Sequence, residues 1–198
     1  YGTYFSILDQ IAQGDVTQGE IEGTLGMKSL GGHLKILEEK YGIIKKKRPI
    51  GAKEGSKTVR YEIQDNFFRF WFRYIHRNSS LIELQNMSAL ERIITEDYTT
   101  FSGIALERWF TQKMKESGRY KQIGGWWHPN GVNSKGNTDE FEIDIVAVTL
   151  DDKIEAYEVK RNAQKYSAAR LAEKITEMKR KTFRGKEVSK NLLSMEDM

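Results

Sequence analysis

Two acidic segments carry the residues whose types and spacing could support chemistry. The first, Glu142-Ile143-Asp144-Ile145-Val146, places a carboxylate in an apolar run, and the second, Ala156-Tyr157-Glu158-Val159-Lys160, ends in an acid and a lysine. Because successive side chains of a strand point to opposite faces, Glu158 and Lys160 share one face. A carboxylate between apolar neighbours is costly unless a cation lies beside it. The pattern predicts that Asp144, Glu158 and Lys160 converge.

The intervening Asp151-Asp152-Lys153 favours a tight turn, so we expect the two strands to be antiparallel neighbours. Two carboxylates can hold Mg²⁺ or Mn²⁺, which would neutralise a phosphate and acidify a water molecule. Lys160 would orient that water and stabilise the negative charge of the transition state. These residues suit the hydrolysis of a phosphodiester. A structural ion pair between the strands is the alternative, and the sequence leaves both open.

Composition limits the classes of protein to consider. The 198 residues are 30% charged, 38% hydrophobic and 11% aromatic, which is typical of a globular protein with two small domains. The absence of cysteine excludes disulfides and thiolate chemistry. The sequence has no signal-peptide pattern and no apolar run of membrane-spanning length, so we expect a cytoplasmic protein without a membrane partner. The first residue, Tyr1, is not a methionine, and we expect a piece of a longer protein.

Positive charge is concentrated in two parts of the chain, within a net charge of +4. Lys45-Lys46-Lys47-Arg48 forms the first cluster together with Lys53, Lys57 and Arg60. Such a cluster can bind nucleic-acid phosphates without regard to sequence. The second cluster, between residues 161 and 190, includes Lys165, Arg170 and Lys174. A solvated helix face is the favoured interpretation there, because acids along the same helix can pair with its lysines.

The first 65 residues have the pattern of a winged helix-turn-helix domain. Three short helices, the third capped by Ser29, precede strands at 43–48 and 58–63, which would form the wing. In this arrangement the third helix enters a DNA major groove and the wing contacts phosphates. A protein-docking role is the alternative, because the third helix has few residues that recognise bases. The candidate DNA-binding residues are Lys28, Ser29, His33, Lys35, Lys45, Lys46, Lys47, Arg48, Lys57 and Arg60.

An aromatic segment, Asn66-Phe67-Phe68-Arg69-Phe70-Trp71-Phe72-Arg73-Tyr74-Ile75, follows this domain. It predicts a helix buried on several sides that joins two domains, and core packing is favoured over stacking on bases. The remaining pattern gives a helix at 100–114, strands at 120–127 and through the two acidic segments, a helix at 163–181 and a strand at 188–193. Glu107 lies at the edge of the apolar face of the helix at 100–114, and a surface position is favoured for it. We therefore predict an α/β (α+β) chain with domains at 1–65 and 100–198 and a helical linker at 66–99.

The order αβββαβ, with Asp144, the Glu158-Val159-Lys160 triplet and an upstream helical Glu107, resembles the PD-(D/E)XK, or restriction-endonuclease-like, superfamily. Nearly the whole chain resembles the C-terminal region of archaeal-type ATPases, in which a winged helix precedes a nuclease-like domain. Beside those residues, the resemblance depends on the aromatic segment, on the helix around residues 101–110 and on Ile123-Gly124-Gly125-Trp126-Trp127. Ile143 stands where the superfamily motif has proline.

The resemblance implies that Asp144 and Glu158 bind Mg²⁺ or Mn²⁺, that Lys160 is the water-orienting base or electrostatic stabiliser, and that Glu107 is an auxiliary acid. It also implies an N-terminal ATPase domain that is absent from this chain, because the sequence has no Gly-x-x-x-x-Gly-Lys-Ser/Thr loop. The expected function is that of a DNA-binding, divalent-metal-dependent nuclease-like module of a larger ATPase. The alternative is a catalytically inactive DNA- or protein-binding regulatory module. Pairing of two copies as a homodimer is left open.

Overall fold

The computed structural model describes residues 2–53, 55–56, 58–128 and 141–198. The chain is a mixed α+β protein with two sheets and divides into two compact units. The first unit comprises residues 1–47 and 59–101, and the second comprises residues 48–58 and 102–198. The domain boundaries that the sequence predicts, after residue 65 and after residue 99, remain predictions. Within the described residues, no helix combines the length and apolar character that a membrane span requires.

Three short helical segments begin the first unit. They are α1 (Gly2–Gln13), α2 (Gln18–Leu25) and α3 (Gly31–Lys35), which continues as a π-helical segment, Ile36–Lys40. Thr17 caps α2 through a capping box with Glu20, as Ser/Thr-x-x-Glu sequences favour. The predicted cap of α3 at Ser29 is wrong. Ser29 has a left-handed backbone with φ of 63°, and Leu30 precedes the helix instead, donating its backbone N–H to a Glu22 carboxylate oxygen at 2.8 Å.

An antiparallel hairpin completes the small sheet of this unit. Strands β1 (Ile44–Lys47) and β2 (Arg60–Ile63) pair with Ile44 opposite Ile63 and Lys47 opposite Arg60. Both strands are shorter than the sequence predicts. Ile44 and Ile63 are buried among the apolar side chains of the three helices, including Ile7, Leu34 and Leu37. Burial of this apolar area is the main term that holds the unit together.

The aromatic segment is helical, but it is not buried on all sides. It forms α4 (Asn66–Phe70), capped by Asp65, and a π-helical segment, Trp71–His76. Phe72 and Tyr74 are buried, whereas Phe67 is 67% and Phe68 is 43% exposed. The prediction of a helix buried on several sides is therefore wrong at its start. An aromatic composition alone cannot distinguish the inner from the outer positions of the first turn.

Two further helices follow, α5 (Ser79–Glu83) and α6 (Met87–Glu116). The sequence predicts a helix that starts only at residue 100, whereas α6 begins at Met87. Its first turns expose Glu91, Arg92 and Glu96, so they have few apolar positions from which a helical period could be recognised.

A charged network stabilises the first unit around Asp97 of α6. The Arg73 guanidinium donates two hydrogen bonds to the Asp97 carboxylate and a third, of 2.6 Å, to the backbone carbonyl of Ala12. The buried Tyr74 hydroxyl donates to the same carboxylate at 2.5 Å. The hydrogen bond from Arg73 is the main reason that the pKa of Asp97 lies below its ordinary value. Asp97 therefore fixes two residues of the aromatic segment.

Asp97→Ala is expected to destabilise the protein by about 3 kcal/mol, because it leaves a half-buried guanidinium and a buried hydroxyl without their acceptor. A carboxyl with a lowered folded-state pKa stabilises the fold above its unfolded pKa, and this contribution is lost as pH falls through the folded value. In urea unfolding experiments, the loss of unfolding free energy in Asp97→Ala should therefore be largest at pH 7 and become smaller toward pH 3. Glu96→Ala, at the exposed neighbouring position, is the control. A similar loss in both variants would contradict this assignment.

The second unit is built on a four-stranded sheet in the order β3-β4-β5-β6. The strands are β3 (Tyr120–His128), β4 (Phe141–Thr149), β5 (Ile154–Lys160) and β6 (Val188–Ser194). The pairs β3–β4 and β4–β5 are antiparallel, whereas β5 and β6 are parallel and are connected through a 3₁₀ turn, Ala163–Lys165, and helix α7 (Ala168–Lys181). A parallel pair requires such a crossover.

Each face of this sheet packs on a helix. Leu171, Ile175 and Met178 of α7 pack with Val146 and other residues of one face, and Leu106 and Phe110 of α6 pack with Ile145 and Val159 on the other. Coverage of both faces explains the nearly continuous apolar sequence of β4.

The loop at 48–58 contributes to the core beside α7. Ile50 is only 8% exposed and donates its backbone N–H to the carbonyl of Gly125 at 2.9 Å. Gly51 has φ of 73°, and a Cβ at this position would lie 2.3 Å from Cγ2 of Thr182. This part of the predicted wing loop is therefore a packed element of the second unit.

Candidate active site

A β-bulge in β4 sets the position of Asp144. Gly124 pairs with Val146 and Trp126 pairs with Ile143, so that Asp144 and Ile145 together lie opposite the single residue Gly125. A bulge re-aims side chains, and simple alternation along β4 fails at this point. Ile143 packs with Val146 on the face covered by α7, although the pleat alone places them on opposite faces. A Cβ at Gly125, opposite the bulge, would lie 3.4 Å from the Asp144 carbonyl oxygen.

Asp144, Glu158 and Lys160 lie together at one end of β4 and β5. The Lys160 ammonium is 2.8 Å from Oε1 of Glu158 and 3.9 Å from Oδ2 of Asp144. That Asp144 oxygen also accepts the backbone N–H of Val159 at 2.7 Å. The side chains of Asp144 and Glu158 are 14% and 10% exposed. The structure therefore brings together the three residues that the sequence pattern groups.

A second lysine, Lys174 of α7, contacts the same glutamate. Its ammonium donates to Oε1 of Glu158 at 3.0 Å and to Oε2 at 2.9 Å, and its side chain is only 12% exposed. The even-numbered residues of β5 face α7, since Ile154 and Ala156 pack in the core beside that helix. Glu158 points the same way, so the contact with Lys174 follows from the pleat once the helix is placed.

The pKa values of the two carboxyl groups are shifted in opposite directions. Burial raises the pKa of Asp144 to about 6, and the negative charge of Glu158 acts in the same direction. Burial also acts to raise the pKa of Glu158, but the hydrogen bonds from Lys160 and Lys174 outweigh it and bring this pKa below its ordinary value. The two lysines therefore compensate the negative charge of Glu158 more fully than that of Asp144.

Lys160 is held in its ammonium form. Burial acts to lower its pKa, but the hydrogen bond to Glu158 and the charge of Asp144 raise it above the ordinary value. The charge of Glu107 acts in the same direction. Glu107 is half-buried on α6 and not on the open surface that its sequence position favours. Its effect on Lys160 places its carboxylate within electrostatic reach of the site.

Asp144, Glu158 and Lys160 line a cleft of about 360 Å³. The cleft also contains residues that the sequence pattern does not predict at the site: Glu142, Lys165, Ser167, Arg170 and Lys174. Glu142 was recognisable as the acid two positions before Asp144. The others come from the second basic cluster, where a solvated face was the favoured interpretation. Lys165 and Arg170 are indeed exposed, but Lys174 is not.

The site is compatible with a divalent cation of the magnesium type. Among the described residues there is no cluster of three or more acidic, histidine or cysteine ligands, so a metal would have to complete its coordination with water or substrate oxygens. Mg²⁺ commonly binds in this way, through one or two carboxylates and substrate phosphates. Asp144 and Glu158, which share a largely polar cleft, would supply the protein ligands.

Asp144→Asn is expected to stabilise the metal-free protein by about 1–3 kcal/mol at pH 8. The pKa of Asp144 is higher in the folded state, so its ionisation costs stability progressively as pH rises from about 4 to 6. The gain should vanish at pH 4 in urea unfolding with a chelator present. Asp151→Asn is the control, because the pKa of this exposed acid is lowered and its substitution should not stabilise. Destabilisation of Asp144→Asn at pH 8 would contradict the stated pKa shift.

The candidate DNA-binding residues of the α3 region lie on the first unit. Lys28 and Ser29 are exposed just before the helix. His33 packs its ring edge against Tyr4, with 5.2 Å between the ring centres, and is half-buried. Lys35 is exposed and lies 3.8 Å from a Glu39 carboxylate oxygen. Lys28 and Lys35 are therefore open to a ligand, whereas His33 is partly committed to packing.

The candidate residues of the hairpin are divided between the two units. Lys45 is exposed, and Lys46 and Lys47 are half-buried on β1. Lys47 forms an ion pair with Glu62 at 3.0 Å, which reduces its availability for a phosphate. Arg48 is exposed and belongs to the second unit. Arg60 is half-buried on β2, and Lys57 lies outside the described residues.

Comparison with known proteins relates the chain to uncharacterised ones. A family described as "Archaea bacterial proteins of unknown function" matches residues 71–178. An uncharacterized protein of Methanocaldococcus jannaschii is 36% identical over 160 residues, which cover 76% of this chain and 34% of that protein. The chain thus spans about a third of the length of this relative. No solved structure gives a significant match.

Proposed function

The chain belongs to this family, DUF234, and we propose that its second unit is a divalent-metal-dependent phosphodiesterase of the PD-(D/E)XK type that acts on DNA. The observation that carries the proposal is the convergence of Asp144, Glu158 and Lys160 in one polar cleft. The element order around them, α6, three antiparallel strands, α7 and a parallel fourth strand, supports a restriction-endonuclease-like fold.

The motif residues each have a role in the proposed reaction. Asp144 and Glu158 would hold the cation and fix the position of the attacked phosphate. When bound, Mg²⁺ or Mn²⁺ supplies charge neutralisation at the phosphate and activation of the attacking water. Lys160 donates hydrogen bonds to the oxygens on which negative charge develops. Its raised pKa supports this electrostatic role over that of a base, since the ammonium has no lone pair to accept a proton. Glu107 is the auxiliary acid, within electrostatic reach of Lys160.

The first unit would bind DNA as a winged helix-turn-helix. Three helical segments followed by a two-stranded hairpin support this interpretation, and Lys28, Lys35 and Lys45 are exposed on it. Contacts from these residues would be to phosphates, which give affinity that falls with salt and carries little sequence information.

The chain would act as the C-terminal module of a larger ATPase. The relative of Methanocaldococcus jannaschii is about three times as long as the matched region, which leaves room for a further domain. This part of the proposal depends on the resemblance to archaeal-type ATPases.

Incubation of the 198-residue chain with plasmid DNA and Mn²⁺ tests the proposed activity. Wild-type protein should nick or linearise the plasmid, EDTA should stop the reaction, and Asp144→Asn should be inactive although it is folded. Cleavage that survives this substitution would show that the activity does not arise from this site.

A catalytically inactive binding module is the second candidate. One observation favours it: both carboxylate oxygens of Glu158 already accept hydrogen bonds from lysine, so the site is stable without a metal. Salt-dependent binding of DNA that is indifferent to Mn²⁺, with no cleavage, would support this candidate over the enzyme.

A further inference from the structure

Lys174 balances the charge of the proposed metal site, which the three motif residues alone leave negative. Asp144 and Glu158 contribute two negative charges when ionised, and Lys160 and Lys174 contribute two positive charges. These four side chains together are therefore neutral in the metal-free protein. Without Lys174, the same three motif residues would carry one net negative charge, which would favour a cation.

The contacts of Lys174 also occupy the oxygens that a metal would need. Oε1 of Glu158 accepts from both lysines, at 2.8 and 3.0 Å, and Oε2 accepts from Lys174 at 2.9 Å. A carboxylate oxygen offers about two lone-pair sites, so Oε1 is saturated. An ammonium and a divalent cation on one carboxylate also repel each other strongly at about 4 Å. Lys174 and the metal are thus competitors for Glu158.

The Lys174 ammonium can remain in the cleft after a metal displaces it from Glu158. It is on α7, in the same cleft as Lys165 and Arg170, and this cleft is the space in which a phosphodiester would lie. With a divalent metal and both lysines present, Asp144, Glu158, Lys160, Lys174 and the metal together carry two net positive charges, enough to neutralise two adjacent phosphates of a DNA strand. With Lys174 absent, the others carry only one.

On the basis of the proposed function, we infer that Lys174 is the internal counter-ion of Glu158, which a divalent metal displaces and which then binds the phosphate of the incoming DNA. Metal binding is accordingly weak in the absence of DNA and strengthens in its presence. Because coupling between two ligands is reciprocal, DNA binding at this cleft is tightened by the metal to the same extent.

Titration of Mn²⁺ into the 198-residue chain, followed by calorimetry, tests this inference with Lys174→Met, which preserves the length of the side chain and removes its charge. We expect Mn²⁺ affinity to rise about tenfold or more relative to wild type, because the competing ammonium is gone. A duplex oligonucleotide with phosphorothioate linkages should increase Mn²⁺ affinity about tenfold in wild type and clearly less in this variant.

Two further variants separate competition from general electrostatics. Lys174→Arg keeps the charge and should bind Mn²⁺ as weakly as wild type. Lys165→Met removes the same charge from an exposed position in the same cleft and should also leave the affinity close to wild type. If Lys174→Met does not fold by circular dichroism, Lys174→Gln takes its place. Unchanged affinity after neutralisation of Lys174, or an equal gain from Lys165→Met, would overturn the inference.

The test separates this inference from the proposed function, because its measured quantity is metal affinity and not cleavage. Tighter Mn²⁺ binding by Lys174→Met, with no cleavage of DNA by any variant, would support the counter-ion role and reject the nuclease. Cleavage by wild-type protein, with the same Mn²⁺ affinity in Lys174→Met as in wild type, would support the nuclease and reject the counter-ion role.

Discussion

Lys160→Met is expected to reduce Mn²⁺-dependent DNA cleavage by about 10³-fold or more, with Mn²⁺ affinity retained. The ammonium is the group that meets the charge developing on the phosphate, and loss of one such donor commonly costs about 10²–10³ in rate. Loss of the orientation of the attacking water adds to this cost. The metal should still bind, since the substitution leaves both carboxylates in place and removes a positive charge from their side. The measurement is a single-turnover cleavage assay, paired with calorimetric titration of Mn²⁺.

Asp144→Asn is the matched variant for this experiment. It should lose both cleavage and Mn²⁺ binding, so the two substitutions distinguish a ligand from a substrate-facing donor. Lys165→Met, which removes an exposed lysine of the same cleft, is the control and should lose far less activity. Equal rates for Lys160→Met and wild type would remove Lys160 from the mechanism.

Glu158→Ala is expected to destabilise the metal-free protein by about 3–5 kcal/mol, the cost of breaking a buried ion pair from one side. The substitution leaves Lys174, which is only 12% exposed, and Lys160 without the carboxylate on which both converge. Urea unfolding at pH 7 with a chelator measures the effect. Glu173→Ala, at an exposed position on α7, is the control and should change stability by less than about 0.5 kcal/mol.

The double variant Glu158→Ala, Lys174→Met should recover a substantial part of this loss, because it no longer contains the unpaired buried ammonium. The recovery is the coupling energy between the two side chains. Additive losses in the double variant would mean that the contact between Glu158 and Lys174 is weak in solution.

The central part of the candidate site could be predicted from the sequence because its elements are short-range and periodic. β4 and β5 are joined by a tight turn around Asp151-Asp152-Lys153, so their antiparallel pairing places Asp144 near Glu158. The alternation along β5 gives the shared direction of Glu158 and Lys160 without further information.

Lys174 could not be predicted as a site residue, because its position depends on how α7 packs across the sheet after the crossover. Its sequence surroundings, rich in lysine and glutamate, are those of an exposed helix face. Only the packing of Leu171 and Ile175 on the sheet directs this side chain toward Glu158. The bulge at Asp144 was missed for a similar reason, since the extra residue becomes visible only against the register of β3.

The first unit shows the limits of composition as evidence. The aromatic segment predicts a helix correctly, but Phe67 and Phe68 are exposed whereas Arg69 is buried. Arg69 lies over the ring of Phe101 at 4.0 Å and donates to its backbone carbonyl. An arginine in an aromatic run can therefore occupy the inner position when a ring and a carbonyl receive its guanidinium.

Crystals of the protein with a phosphorothioate DNA duplex, soaked in Mn²⁺, give the most direct measurement of the central claim, that Asp144 and Glu158 share a divalent cation. The anomalous signal should show an ion within about 2.2 Å of a carboxylate oxygen of each residue, with the Lys174 ammonium moved away from Glu158. An ion bound only elsewhere, or no ion while Lys174 keeps both hydrogen bonds to Glu158 at millimolar Mn²⁺, would contradict the account.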